Sequence, residues 1–314
     1  MKKIRPLIII VSTIVCIMAL YNKIIDFLAN FSHQLLSVNQ FYYRWKFGEV
    51  AYTKNGQGSP VLLIHDPMCG SSDFEFQSII TDLSKKHTVY TLDLLGYGRS
   101  SKPKMTYTAF IYVQLINDFI KDIIKSPTQI IASGDSSLFV MLLTLLSPQS
   151  IKNIILVSPG SVNHYLSSPT KWDRFMKEII ELPLLGTFIY NILTIRPFLK
   201  GALLQRLTPS YYVKKRQVDG LFESSHMNGS GAKFTYLSWY FHFMKSDIRK
   251  ALKQSSHSIY IVTGNQLPEA EAILQDYMEI NPAIEYTLIP DSKYYPHLEQ
   301  PQSFMEICTF FFES

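Results

Sequence analysis

Six short apolar runs, each closed by turn-forming residues, limit what this chain can fold into. They lie at 61–65, 88–92, 130–133, 154–157, 259–263 and 284–289. A strand that is apolar at every position has no polar face to offer water, so it is buried on both sides, as in a parallel sheet. Helical periodicity separates most of these runs, over 110–124, 136–146, 269–278 and 301–312. Strands that alternate with helices imply right-handed crossovers and one mostly parallel sheet, with helices on both faces. The predicted class is therefore α/β. Residues 41–47 and 50–53, aromatic and β-branched around Gly48, predict an antiparallel hairpin ahead of it. A helix is predicted from Ser72 to about residue 84.

The alternation lapses over 159–256, which is rich in Phe, Tyr, Leu and Ile and has no clear strand. A helical insertion between two core strands is expected to act as a cap or lid, where binding sites concentrate. The expected organisation is an N-terminal anchor and linker over 1–35, a first core part over 36–158, the cap over 159–256 and a second core part over 257–314. With 314 residues, 47% of them hydrophobic, one large domain with an insertion is affordable.

The N-terminus is basic, with Lys2, Lys3 and Arg5. An apolar stretch from Leu7 to Tyr21 follows, then Lys23, Asp26 and a further apolar segment. The uninterrupted part is short for a membrane helix, which needs about 20 residues, but snorkelling basic flanks extend it. No small-x-small cleavage site follows, so an uncleaved signal anchor is expected. The positive-inside rule then leaves the C-terminal domain on the outer face of a cell membrane. Membrane lipid is the expected partner at this end. Cys16, Cys69 and Cys308 are few and far apart, so neither a disulfide framework nor a metal site is expected. The net charge of +5 is spread along the chain, and its only basic triple, Lys214-Lys215-Arg216, has no accompanying RNA-binding motif. Nucleic acid is not an expected partner, and no cofactor is implied.

Several blocks follow one another in order. They are Leu62-Leu63-Ile64-His65-Asp66, then Asp93-Leu94-Leu95-Gly96-Tyr97-Gly98-Arg99-Ser100, then Gly134-Asp135-Ser136 at a strand-to-helix junction. Gly264-Asn265-Gln266-Leu267 and Lys293-Tyr294-Tyr295-Pro296-His297-Leu298-Glu299-Gln300-Pro301 complete the series. In this order the chain resembles the α/β-hydrolase superfamily over about residues 41–314, and in particular membrane-anchored bacterial members with a lipophilic helical cap. The resemblance implies a serine nucleophile on an elbow, then an acid, then a histidine in chain order.

Carried over residue by residue, Ser136 takes the nucleophile position. Its plainer alternative is a helix N-cap role, shared with Asp135. Asp135 as a dehalogenase-like nucleophile is a further register. Leu267 stands where the acid belongs, and Glu269 is the nearest replacement. Tyr294 stands at the catalytic histidine. A phenol with an ordinary pKa near 10 already holds its proton and cannot take one from serine. His297 is the alternative base, and His164, His226 and His242 lie in the cap. Of the oxyanion donors, Ser137 follows the nucleophile position, Pro67 has no N–H to give, and Met68 is a substitute. Three catalytic blocks are thus altered independently. The expectation is a protein of serine-hydrolase lineage with weak or absent catalysis and an apolar small-molecule ligand or ester in its pocket. The alternative is an active ester or acyl hydrolase using Ser136 with a relocated base such as His297. Tyr294 is expected to face Ser136 within hydrogen-bond reach.

Overall fold

The computed structural model describes residues 4–31, 33–35, 37 and 39–313. Its core is one sheet of eight strands: β1 Gln40–Trp45, β2 Gly48–Asn55, β3 Ser59–Ile64, β4 His87–Leu92, β5 Thr128–Ser133, β6 Ile151–Val157, β7 Ser258–Gly264 and β8 Glu285–Ile289. The spatial order is β1-β2-β4-β3-β5-β6-β7-β8. β1 and β2 form the expected hairpin, and β2 pairs antiparallel with β4. Every other pairing is parallel. The six apolar runs are strands of this one sheet, and β5 is buried along its whole length.

Helices cover both faces. On one side α3 Ala109–Phe119 and α4 Ser136–Leu146 pack with the Leu62, Ile130 and Ile154 side of the sheet. On the other, α14 Pro301–Glu313 brings Phe304, Cys308 and Phe311 against Leu63, Ile131 and Ile155. Successive strand residues point to opposite faces, and this is why neighbours such as Leu62 and Leu63 belong to different cores.

Two expected helices change form. The helix predicted from Ser72 is instead a 3₁₀ turn at Asp73–Phe76 and one α-turn, α2 Ile80–Leu83. The Ser72 side chain caps the first by accepting from Phe74 N–H, so local capping replaces a long helix. Residues 120–124 leave the α3 register as a π-turn, closed by Lys125 at φ 62°.

Between β6 and β7 the described chain holds only helices: α5 Val162–Tyr165, α6 Lys171–Glu181, α7 Leu185–Leu193, α8 Arg196–Arg206, α9 Lys215–His226, α10 Ala232–Tyr240 and α11 Arg249–Gln254. α12 Ala270–Ile280 and the short α13 Pro296–Glu299 complete the order.

The N-terminal α1, Ile4–Asn30, is a single helix whose segment Pro6–Asn30 is long and apolar enough to cross a membrane. Ile8, Ile10 and Ile14 are exposed, as expected. The C-terminal half packs against the rest of the chain. Ile25 and Ala29 are buried with Leu199 and Phe222 of the inserted helices.

Phe139 of α4 is 1% exposed and lies 4.8 Å, ring to ring, from Tyr112 of α3. Phe139→Ala should remove about 3–5 kcal/mol by leaving a cavity that this close-packed layer cannot fill. A lowered midpoint in chemical denaturation of the detergent-solubilised chain is the readout.

Candidate functional site

The site forms where β3 and β5 end side by side. A sharp turn leads from β5 into α4, and the residue on it is Gly134, at φ +55°. That is the left-handed region, where only glycine is unstrained. A Cβ at 134 would lie 2.3 Å from the Asp66 carboxylate, so space as well as backbone excludes a side chain. Ser136 lies two residues further on, inside the first helical turn. It is fully buried, and its hydroxyl donates to the His65 carbonyl at 2.6 Å.

The loop after β3 supplies the other half. The Asp135 N–H, first after the turn, donates to Asp66 Oδ1 at 3.1 Å. The Asp66 N–H donates to Glu75 Oε2 at 3.1 Å. Two groups then close on Asp66 Oδ2: the Tyr295 hydroxyl at 3.1 Å and the Arg206 guanidinium at the end of α8. Arg206 also donates to the Tyr295 hydroxyl at 3.1 Å. Burial pushes the Asp66 carboxyl above its ordinary value, against the pull of Arg206 and the Asp135 N–H. Burial likewise lifts the Tyr295 phenol far above its usual range, so that hydroxyl keeps its proton and acts as a donor.

A second ion pair stands on the other side of Gly134. Asp135 Oδ2 accepts from Lys245 Nζ at 2.6 Å and from Trp239 Nε1 at 3.1 Å. Lys245 also bonds the His164 ring, whose Nε2 lies 3.7 Å from Asp135 Oδ1. Burial opposes ionisation of Asp135, but Lys245 and His164 overcome it and hold the carboxyl below its ordinary range. The segment between β6 and β7 is therefore fastened to the strand ends by Arg206–Asp66, from the end of α8, and Lys245–Asp135, from the loop after α10.

The other expected site residues are dispersed. Ser137 N–H closes the first turn of α4 on the Gly134 carbonyl at 3.1 Å, so it does not point into a pocket. Pro67 accepts from the Tyr97 hydroxyl at 2.8 Å, and the Met68 sulfur is 3.9 Å from the Tyr295 hydroxyl. Among the described residues no hydrogen bond joins Tyr294 to Ser136. The Tyr294 ring packs instead beside Leu203 and Leu207, with the Arg206 guanidinium 5.5 Å from its centroid. Leu267 is buried, and Glu269 is exposed at the start of α12.

The histidines serve packing and hydrogen bonding. His297 is fully buried beside Phe76 and Phe304, with Nε2 3.1 Å from Glu75 Oε1. Burial alone would raise Glu75, but His297 reverses the sign and its carboxyl falls below the ordinary range. His65 takes the Leu94 N–H on Nε2 at 3.1 Å, so its proton is assigned to Nδ1, which faces the Asp66 carbonyl at 2.9 Å. His226 contacts Thr194 and the Phe222 carbonyl, away from Asp66 and Asp135. Sequence reasoning missed Gly134, Asp66, Arg206, Lys245 and Tyr295. One signal was available: Asp66 stands where the His-Gly block has its glycine.

A small, mostly apolar cavity of about 50 Å³ adjoins this cluster, lined by Met68, Phe74, Glu75, Leu203, Leu221 and Tyr295 among others. It has room for a few waters.

Two stability predictions follow from the charges. Arg206→Met leaves Asp66 buried without its cation and should cost about 3 kcal/mol, the low end for one broken partner because Arg206 is partly exposed. The sign with pH is fixed. A carboxyl raised by folding contributes stability below its unfolded pKa and loses it as pH rises through the folded one. The loss in Arg206→Met should therefore be larger at pH 8 than at pH 5 in thermal unfolding, and Asp66→Asn/Arg206→Met should recover part of it. His226 runs oppositely. Burial lowers it from 6.5 to about 4, so the neutral ring supports the fold above pH 6.5 and that support fades as pH falls towards 4. His226→Gln should flatten the fall in melting temperature between pH 7 and 4.5.

Known proteins agree with this architecture. A family model described as the alpha/beta hydrolase fold matches residues 60–187. A 2-hydroxy-6-oxo-6-(2'-aminophenyl)hexa-2,4-dienoic acid hydrolase of Metapseudomonas resinovorans is 35% identical over 74 residues. That match spans 26% of the relative's own length and 23% of this chain. Among solved structures, a carboxylesterase CesB from Bacillus subtilis superposes with a TM-score of 0.69 at 12% identity, covering 93% of this chain and 98% of that one. A membrane phospholipase A, described as a bacterial virulence factor, gives 0.68 at 14% identity, covering 100% and 98%. Strand order, parallel register, family model and structural likeness agree that this chain adopts the α/β-hydrolase fold.

Proposed function

We propose that this chain is a membrane-anchored α/β-hydrolase-fold protein that binds through its capped site and does not hydrolyse esters there. The observation that carries the reading is Gly134. In this fold the nucleophile sits on the sharp strand-to-helix turn, and the next N–H forms the oxyanion hole. Read on the φ +55° residue, that position is Gly134, and the next N–H is that of Asp135. The Asp66 carboxylate already accepts from this N–H. A negative charge there repels the oxyanion that the donor would otherwise stabilise.

The rest of the machinery agrees. Ser136 gives its hydroxyl to a carbonyl and has no imidazole partner among its hydrogen bonds. A serine without an adjacent base is a weak nucleophile. The catalytic-histidine position holds Tyr294 and the acid position Leu267. The small apolar cavity beside Tyr295 suits a short apolar group. A longer ligand would require Arg206 and Tyr295 to part from Asp66. α1 supplies the anchor, and the basic residues before it favour the outer face for the rest of the chain. The alternative, hydrolysis by Ser136 with His297 as base, is disfavoured because His297 is spent on Glu75.

A fluorophosphonate probe on the full chain decides between them. The folded protein should label no more than a heat-denatured control, with no simple-ester hydrolysis. Gly134→Ser should remain inactive and lose at least about 1–2 kcal/mol, the cost of a left-handed non-glycine residue. Mass-spectrometric detection of the probe on Ser136, abolished by Ser136→Ala, would refute the proposal.

A further inference from the structure

We infer that the inserted helices α6–α8 form a second lipid contact, so that the cap lies on the bilayer surface beside the anchor. This rests on the anchor reading of α1. The charge-free segment 6–22 ends at Lys23, and as a helix it is about 26 Å long. A bilayer core is about 30 Å thick. The span therefore has to draw on the next turns of α1, where Ile24, Phe27 and Leu28 are 47%, 67% and 43% exposed.

At that level α1 is already bound to the cap. Asn22 Nδ2 donates to the Leu184 carbonyl at 3.2 Å, and Asn191 Nδ2 donates to Asn22 Oδ1 at 2.9 Å. The rings of Tyr21 and Phe188 are 5.3 Å apart. Bringing Ile24 and Phe27 to the lipid brings α7 with them.

The surface that arrives there is apolar. On α7, Leu185 and Ile192 lie three residues before and four after Phe188, which makes them its neighbours on the helix surface. Both are exposed, so the exposed stripe is continuous with the α1 interface. α6 adds Trp172 and Phe175, 73% and 50% exposed, and α8 adds Phe198 at 53%. Lys171, Arg174 and Lys200 stand among them as exposed cations. An apolar face rimmed by basic residues, with an exposed tryptophan, has the composition of a surface that lies in the headgroup region.

Trp172 provides the test, because Trp45 is buried and Trp239 half-buried. The full chain is reconstituted in vesicles of phosphatidylcholine and phosphatidylglycerol, and the Trp172 emission is taken as wild type minus Trp172→Phe. Lipid brominated at the upper acyl chain should quench most of that emission and aqueous iodide little of it, and the emission should be blue-shifted against detergent-free solvent-exposed tryptophan. If the protein floats with the vesicles after a carbonate wash but Trp172 responds to iodide and not to brominated lipid, α1 is an anchor and the docked cap is wrong. If the protein does not float, both the anchor and the docked cap are rejected.

Discussion

One carboxylate organises the end of this sheet. Asp66 leaves β3 and meets the Asp135 N–H that follows β5, the Tyr295 hydroxyl that follows β8, and the Arg206 guanidinium from the inserted helices. Three separated parts of the chain converge on it. An unpaired ion buried to this depth would cost several kcal/mol, so each partner is held in place by the cost of its absence. Gly134 is part of the same constraint, since any side chain there would occupy the carboxylate's space.

The usual arrangement of this fold leaves that place open, so that donors can meet the charge developing on a substrate. Here a resident anion meets them first. The two acids beside Gly134, Asp66 and Asp135, each take a cation from the segment between β6 and β7. These pairs tie two layers of the protein together.

Much of the remaining hydrolase framework persists because it is structural. Arg99 bridges Asp93 and Asp73 within the core. His65 satisfies buried backbone groups, and His297 lies with Nε2 3.1 Å from the Glu75 carboxylate. Such residues keep the motifs legible whatever the chemistry, and this is why the blocks around residues 65, 93 and 297 point so firmly to the fold. The same persistence misdirects a reading of activity. Gly134-Asp135-Ser136 matches half of an elbow by spelling, yet Ala132-Ser133-Gly134-Asp135-Ser136 is the five-residue frame centred on the turn, with small residues at both ends.

The sequence by itself determined the sheet, the helical insertion and the apolar N-terminal helix, because these depend on local patterning. Apolar runs closed by turn residues read as sheet strands, five of them central and β8 an exposed edge, and a strand-free stretch between two of them reads as an insertion. It also carries Leu267 and Tyr294 in the blocks where the resemblance implies an acid and a base. Only the tertiary structure decided which residue stands on the turn, because a positive φ belongs to the backbone path and Gly134 and Ser136 both fit the string. Only it could seat Arg206 and Lys245 on Asp66 and Asp135, contacts 140 and 110 positions apart. Pairing across such separations is set by how the layers pack, and no periodicity in the chain records it.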